Sequence, residues 1–126
     1  MFANKQATAM IPAHDLARAK QWYRDKLGLI PAEGHGEMGG VYVLGGGTRA
    51  FLYPTHFAGT AQHTILSFDT DDLVGDMQAL RAKGVVFLDY DLPGLKTVDG
   101  LADFGEVKNA WCKDSEGNIL GFVQGM

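Results

Sequence analysis

A lone imidazole heads the stretch AGTAQHTILSFDTDDL, residues 58–73. His63 opens an apolar run that alternates as a strand does, which groups it with Ile65 and Ser67 on one face. A neutral imidazole donates at one nitrogen and accepts at the other, so His63 can act as a general base or orient a bound molecule by hydrogen bonding. It can equally be a structural histidine. A metal needs three or four donors. Glu33, His35 and Glu37, in the glycine-rich segment of the first half, are the residues that could reach in to complete such a set.

A second concentration of reactive types lies in DYDLPGLKTVDGLADFG, residues 89–105. Lys96 and Thr97 can bind an anionic or carbonyl group, and Asp91 and Asp99 can move protons. The alternative is a solvated lysine and aspartates that cap turns. Tyr90, Leu92, Pro93, Leu95, Val98, Leu101 and Phe104 anchor the segment, which predicts an ordered loop able to wall or cover a site. Tyr53, His56 and Phe57 sit where the two halves join, where aromatic residues either line a cleft or fill a core. Trp111 alternates with Cys112, so it faces either a cavity or the back of a sheet. Cys112, in the apolar run NAWC, reads as a buried, inert thiol.

GHGEMG (34–39) matches a Gly-x-Gly-x-x-Gly pattern. A dinucleotide site requires a helix after that motif, so that the helix N-terminus faces the pyrophosphate. Here GVYVLGGG follows, a strand and a turn, so the match is accidental and the glycines make a loop.

The chain has 126 residues, 46% hydrophobic and 21% charged, with a net charge of −4. That fits one domain with an ordinary core. Without a Lys/Arg cluster, nucleic acid and anionic membrane surfaces are not expected partners. No apolar run reaches the ~20 residues of a membrane span, and MFANKQATAM lacks the apolar core of a signal peptide. With a single cysteine these features predict a cytoplasmic protein.

The elements that must position these residues come as a repeat. TAMIPAHDLARAKQWYRDKLGLIP (8–31) and HTILSFDTDDLVGDMQALRAKGVVF (63–87) share a strand, an Asp-Leu pair, a helix and a terminating glycine. Asp15 and Asp72 are predicted N-caps, Gly28 and Gly84 predicted helix ends. Leu16, Ala19, Tyr23 and Leu27 form one apolar helix stripe; Leu73, Met77 and Leu80 form the other. Three strands are predicted after each helix: 29–33, 40–44 and 48–53, then 85–88, 105–112 and 118–124. The chain therefore reads βαβββ twice, module 1 at about 5–57 and module 2 at about 62–124, with a cleft where the curved sheets meet.

HDLARAKQWYRDKLGL resembles the first-helix signature of the vicinal oxygen chelate superfamily, which includes glyoxalase I, bleomycin-resistance proteins and extradiol dioxygenases. KDSEGNILGFVQ resembles that family's C-terminal signature. The resemblance implies an α+β fold of the glyoxalase/bleomycin resistance/dihydroxybiphenyl dioxygenase type, expected as a homodimer. It also implies four metal-ligand positions, which fall here on Thr8, Tyr53, His63 and Gly121. Only His63 is a ligand for a divalent ion, so the usual metal site is expected to be absent. The expected function is metal-free binding of a small organic molecule. Its cavity would be walled by Thr8, Tyr53, His63, Trp111 and Gly121, where the missing side chain leaves room, under a loop contributing Leu92, Pro93, Leu95 and Lys96. The alternative is an enzyme of the family, a lyase or dioxygenase with an altered ligand set, or a metal-free acid–base catalyst using His63 and Tyr53.

Overall fold

The computed structural model describes residues 1–34 and 36–126, with Glu33 and Gly34 described by their backbone alone. His35 and the Glu33 side chain lie outside the described residues.

Module 1 runs β1 (Thr8–Ala13), α1 (Leu16–Leu27), β2 (Glu33–Gly34), β3 (Gly40–Val43) and β4 (Arg49–Pro54). Module 2 runs β5 (Thr64–Asp69), α2 (Leu73–Ala82), β6 (Asp91–Leu92), β7 (Leu95–Lys96), β8 (Leu101–Asp103), β9 (Lys108–Lys113) and β10 (Ile119–Gln124). The sheets have matching orders, β1-β4-β3-β2 and β5-β10-β9-β8. In each, the first strand pairs in parallel with the last, and β1 runs beside β5 where the modules meet. The repeat seen in the sequence is thus a repeat of topology.

The helix ends follow their caps. The Asp15 carboxylate accepts from the Arg18 amide at 3.0 Å, and that of Asp72 from the Gly75 amide at 3.1 Å. Gly28 ends α1 in the left-handed region, at φ 69°. Ala19, Tyr23, Leu73 and Met77 of the predicted stripes are buried, in one core with Ile11, Leu52, Leu120 and Phe122. Both helices cover the same side of the paired sheets, so the other side is left open.

Three expectations are corrected. Residues 29–33 contribute only the start of the two-residue β2; Leu29 packs on the core instead. Residues 85–88 alternate as a strand, with Phe87 buried and Val86 exposed, yet Phe87 forms only an isolated bridge to Cys112. The edge of the sheet beside β9 belongs to β8, which pairs Leu101–Asp103 with Lys108–Ala110. So the segment 89–105 is not a loop throughout. It opens with the β6–β7 hairpin, turning at Pro93-Gly94, and ends as an edge strand. Thr97 closes the hairpin base: its hydroxyl donates to the Asp89 carboxylate at 2.7 Å and accepts from the Tyr90 amide at 2.8 Å.

Gly39, the last glycine of GHGEMG, has a structural role. A short 3-10 turn at Gly36–Met38 leads directly into β3. Gly39 has φ 140°, and a Cβ there would stand 2.0 Å from the Leu52 carbonyl oxygen. Close backbone approach explains that glycine, and no helix follows the motif.

Candidate functional site

Two regions concentrate polar side chains, and they differ in kind. The first is the seam between modules on the helix side. The β9–β10 turn, residues 114–118, inserts against the β1–α1 corner, where Asp114, Glu116 and Asn118 are all buried. The Tyr23 hydroxyl donates to Asp114 Oδ2 at 2.5 Å, and Asn118 Nδ2 donates to the same oxygen at 2.9 Å. Asp114 Oδ1 accepts from the amides of Glu116 and Asn118. Asn118 Nδ2 also reaches the Pro12 carbonyl at 2.7 Å, while its Oδ1 accepts from the Gly59 amide. Glu116 takes both arms of the Arg18 guanidinium, at 2.8 and 3.0 Å, plus the Asp15 amide and the Ser115 hydroxyl.

The electrostatics match that geometry. Burial alone would raise the Glu116 carboxyl, but the Arg18, Asp15 and Ser115 bonds together hold it down at about 2. Burial, then the Asp114 charge, push the Tyr23 phenol far above its ordinary range. Burial, reinforced by Asp114, raises the Cys112 thiol to about 12, so it stays protonated and unreactive. These are shifted groups with every partner already internal. Through Arg18, Asp15 and Tyr23, the Glu116 and Asp114 carboxylates tie the β9–β10 turn to the β1–α1 corner.

The second region is the open side of the sheets. Registers fix which residues share it. Thr8 pairs with Arg49, Met10 with Phe51 and Pro12 with Tyr53; these alternate with the buried Ile11, Ala13, Ala50 and Leu52. In module 2, Gly121 pairs with Trp111 and with Ser67, on the face opposite Cys112 and Leu120. Trp111 therefore belongs to the open side, edge-to-face with Tyr90 at 5.4 Å between ring centres.

The strand pattern around His63 does not persist. Ile119 pairs with Thr64 but Leu120 with Leu66, so β5 carries a bulge at Ile65. The bulge shifts the alternation by one residue and puts Thr64, not His63, on the face shared with Ser67. A Cβ on Gly121 would lie 3.2 Å from both Ser67 Oγ and Thr64 Cγ2. Neighbouring side chains thus occupy the space beside Gly121. His63 itself precedes β5 and is exposed, with its Nδ1–H donating to the Thr64 carbonyl at 3.0 Å. The other predicted residues are spread out. Tyr53 pairs four positions along β4 from the Thr8–Arg49 pair, roughly 13 Å away at strand rise. Leu92, Pro93 and Lys96 are exposed and Leu95 half-buried on the hairpin at the outer edge of module 2.

What the structure does bring together is a cavity of about 700 Å³ where β1, the β3–β4 turn and β5 converge. Thr8, Arg49, Ser67 and Asp69 give it polar groups, and Leu44, Leu66 and Phe68 give it apolar wall. Of the predicted site residues only Thr8 lines it. Arg49 and Asp69 escaped the sequence reading because each looked like the solvent-facing residue of an alternating strand, and Ser67 entered it only as a residue on the same face as His63; the β1–β5 juxtaposition makes the three neighbours.

The residues at the four ligand positions do not fit a metal. Thr8, Tyr53 and Gly121 lack a carboxylate, thiolate or imidazole, His63 is turned to a backbone carbonyl, and among the described residues no group of three His, Cys, Asp or Glu converges. No helix among the described residues is long and apolar enough to cross a membrane.

The model of the Glyoxalase/Bleomycin resistance protein/Dioxygenase superfamily matches residues 5–122. No curated protein matches the chain in sequence. Solved structures share the fold at low identity. UcmS2 has a TM-score of 0.74 at 15% identity, with 94% of this chain and 96% of that chain covered. A glyoxalase/bleomycin resistance protein from Catenulispora acidiphila has a TM-score of 0.70 at 19% identity, with the same coverage. The fosfomycin resistance protein FosX from Listeria monocytogenes has a TM-score of 0.69 at 11% identity, covering 98% of this chain and 92% of that chain.

Proposed function

Because the chain belongs to the Glyoxalase/Bleomycin resistance protein/Dioxygenase superfamily, we propose that it binds a small organic molecule between its two modules without the help of a metal. The observation that carries this reading is the cavity of about 700 Å³ at the β1–β5 junction, with apolar walls and a few polar groups. Its size and mixed lining are those of small-molecule pockets in general. The lack of ligand side chains at Thr8, Tyr53 and Gly121 supports a site that works through hydrogen bonds and fixed charges. The most strongly shifted groups, Glu116, Tyr23 and Cys112, lie at or beside the seam and make their contacts inside the fold. Together with the expected homodimer in the cytoplasm, the reading is that of a sequestering or carrier protein.

Metal analysis of protein purified without chelator, followed by fragment screening by NMR with and without EDTA, tests this. The expected result is less than stoichiometric divalent ion and EDTA-insensitive shifts of the Thr8, Arg49 and Ser67 amides. Near-unit zinc, nickel, iron or manganese that disappears in His63→Ala would overturn it.

A further inference from the structure

Arg49 and Asp69 bring opposite charges to the same cavity from opposite modules. Arg49 stands on β4 beside Thr8, and its guanidinium donates only to Gln6 Oε1, at 3.2 Å, among the described residues. Asp69 ends β5, two residues from Ser67 and so on the same face. Its side chain has no hydrogen bond or ion pair among the described residues. The two charges are not within salt-bridge distance of each other, although they line one space. Leu66 and Phe68, from the alternate positions of β5, supply the apolar surface of that space.

A cavity with one cation on one wall and one carboxylate on the other is poorly matched to a purely anionic or purely cationic guest, since either meets a repelling charge. It is equally poorly matched to an apolar one, which would strip water from both charges. From this, and resting on the ligand-binding reading above, we propose that the cavity takes a small zwitterion. Its anionic group would sit on Arg49, with the Thr8 and Ser67 hydroxyls as further donors. Its ammonium would sit on Asp69, and a short apolar segment would lie between them against Leu66 and Phe68.

The probe is a series of ω-amino acids, from 3-aminopropanoic to 8-aminooctanoic acid, titrated into the full chain and followed by amide NMR. The matching alkanoic acids and alkylamines serve as single-charge comparators, and uncharged aromatic fragments as a separate control. Expected is an optimum chain length that shifts both the Thr8–Arg49 and Ser67–Asp69 amides, with the comparators at least about tenfold weaker. Arg49→Gln and Asp69→Asn should each weaken that amino acid by about tenfold while leaving the free protein's spectrum otherwise unchanged. Comparators that bind as tightly as the amino acids, or variants that bind them unaltered, would overturn the zwitterion assignment. So would a series in which no member binds. The uncharged fragments tell the two failures apart: if they shift cavity amides, ligand binding stands without the zwitterion, and if nothing does, both readings fall.

Discussion

The seam and the open side are made of the same kinds of residue arranged to opposite ends. At the seam, Asp114, Glu116 and Asn118 of one turn meet Tyr23, Arg18 and Pro12 from the other end of the chain, and their polar groups are satisfied almost completely. On the open side, Arg49 and Asp69 carry charges with no ionic partner among the described residues, and the buried Asn109 Oδ1 on β9 has no hydrogen bond. A buried polar group without a partner costs about 1–3 kcal/mol, so a fold keeps such groups to few places. The difference teaches that strongly shifted acids and phenols here mark architecture. Unspent hydrogen-bonding capacity occurs in both regions, since the buried Tyr42 hydroxyl beside Tyr23 also has no partner among the described residues; only Arg49 and Asp69 combine it with a place on a cavity wall.

Asp114→Ala is the strongest way to break that contrast. It removes the acceptor of four donors at once. The expected loss is about 3–5 kcal/mol in denaturant unfolding, since the donors remain buried and unpaired. A loss below about 1 kcal/mol would mean that the seam does not hold the modules together.

Acid titration separates the regions next. The Glu116 carboxyl sits at about 2 against 4.5 for an ordinary glutamate, so the folded state binds its proton less readily than the unfolded chain. Its stabilisation is therefore complete above about pH 4.5 and disappears as pH falls towards 2. At about 1.4 kcal/mol per pKa unit the acid limb should carry roughly 3 kcal/mol. Glu116→Gln should lower stability at pH 7 and flatten that limb.

Smaller effects belong to the open side. Gly121→Ala places a methyl 3.2 Å from Thr64 and Ser67. Both neighbours can shift, so the expected cost is about 1 kcal/mol. His63→Ala should change stability by less than about 0.5 kcal/mol, because the ring is exposed and, among the described residues, bonded only to the next residue's carbonyl. Larger losses at either position would make the open side as structural as the seam.

Much of this protein could be read before its fold was known. Asp15 and Asp72 cap helices, Gly28 ends one, and the apolar stripes fall on the core, because caps and periodicity act within a few residues along the chain. The doubled βαβββ order follows from the same local signals, and the resemblance of both end motifs to one family is explained by their meeting: Arg18 and Tyr23 of the first bond Glu116 and Asp114 of the second. The site was less legible. His63 was grouped with Ser67 by a strict alternation that the bulge at Ile65 interrupts, and a bulge leaves no mark in the period of a short strand. Residues 85–88 had strand character but lost the sheet edge to Leu101–Asp103, a competition between segments that neither segment's own sequence records.

The sequence by itself determined the elements, their order and their buried faces, since these rest on short-range sterics and the 3.6- and 2-residue periods. Tertiary structure alone decided which polar residues neutralise one another and which face open space. Arg49 and Asp69 are 20 residues apart and identical in pattern to any solvated strand residue. They share a cavity because β1 lies beside β5, and the packing of two modules on one core fixes that neighbour relation.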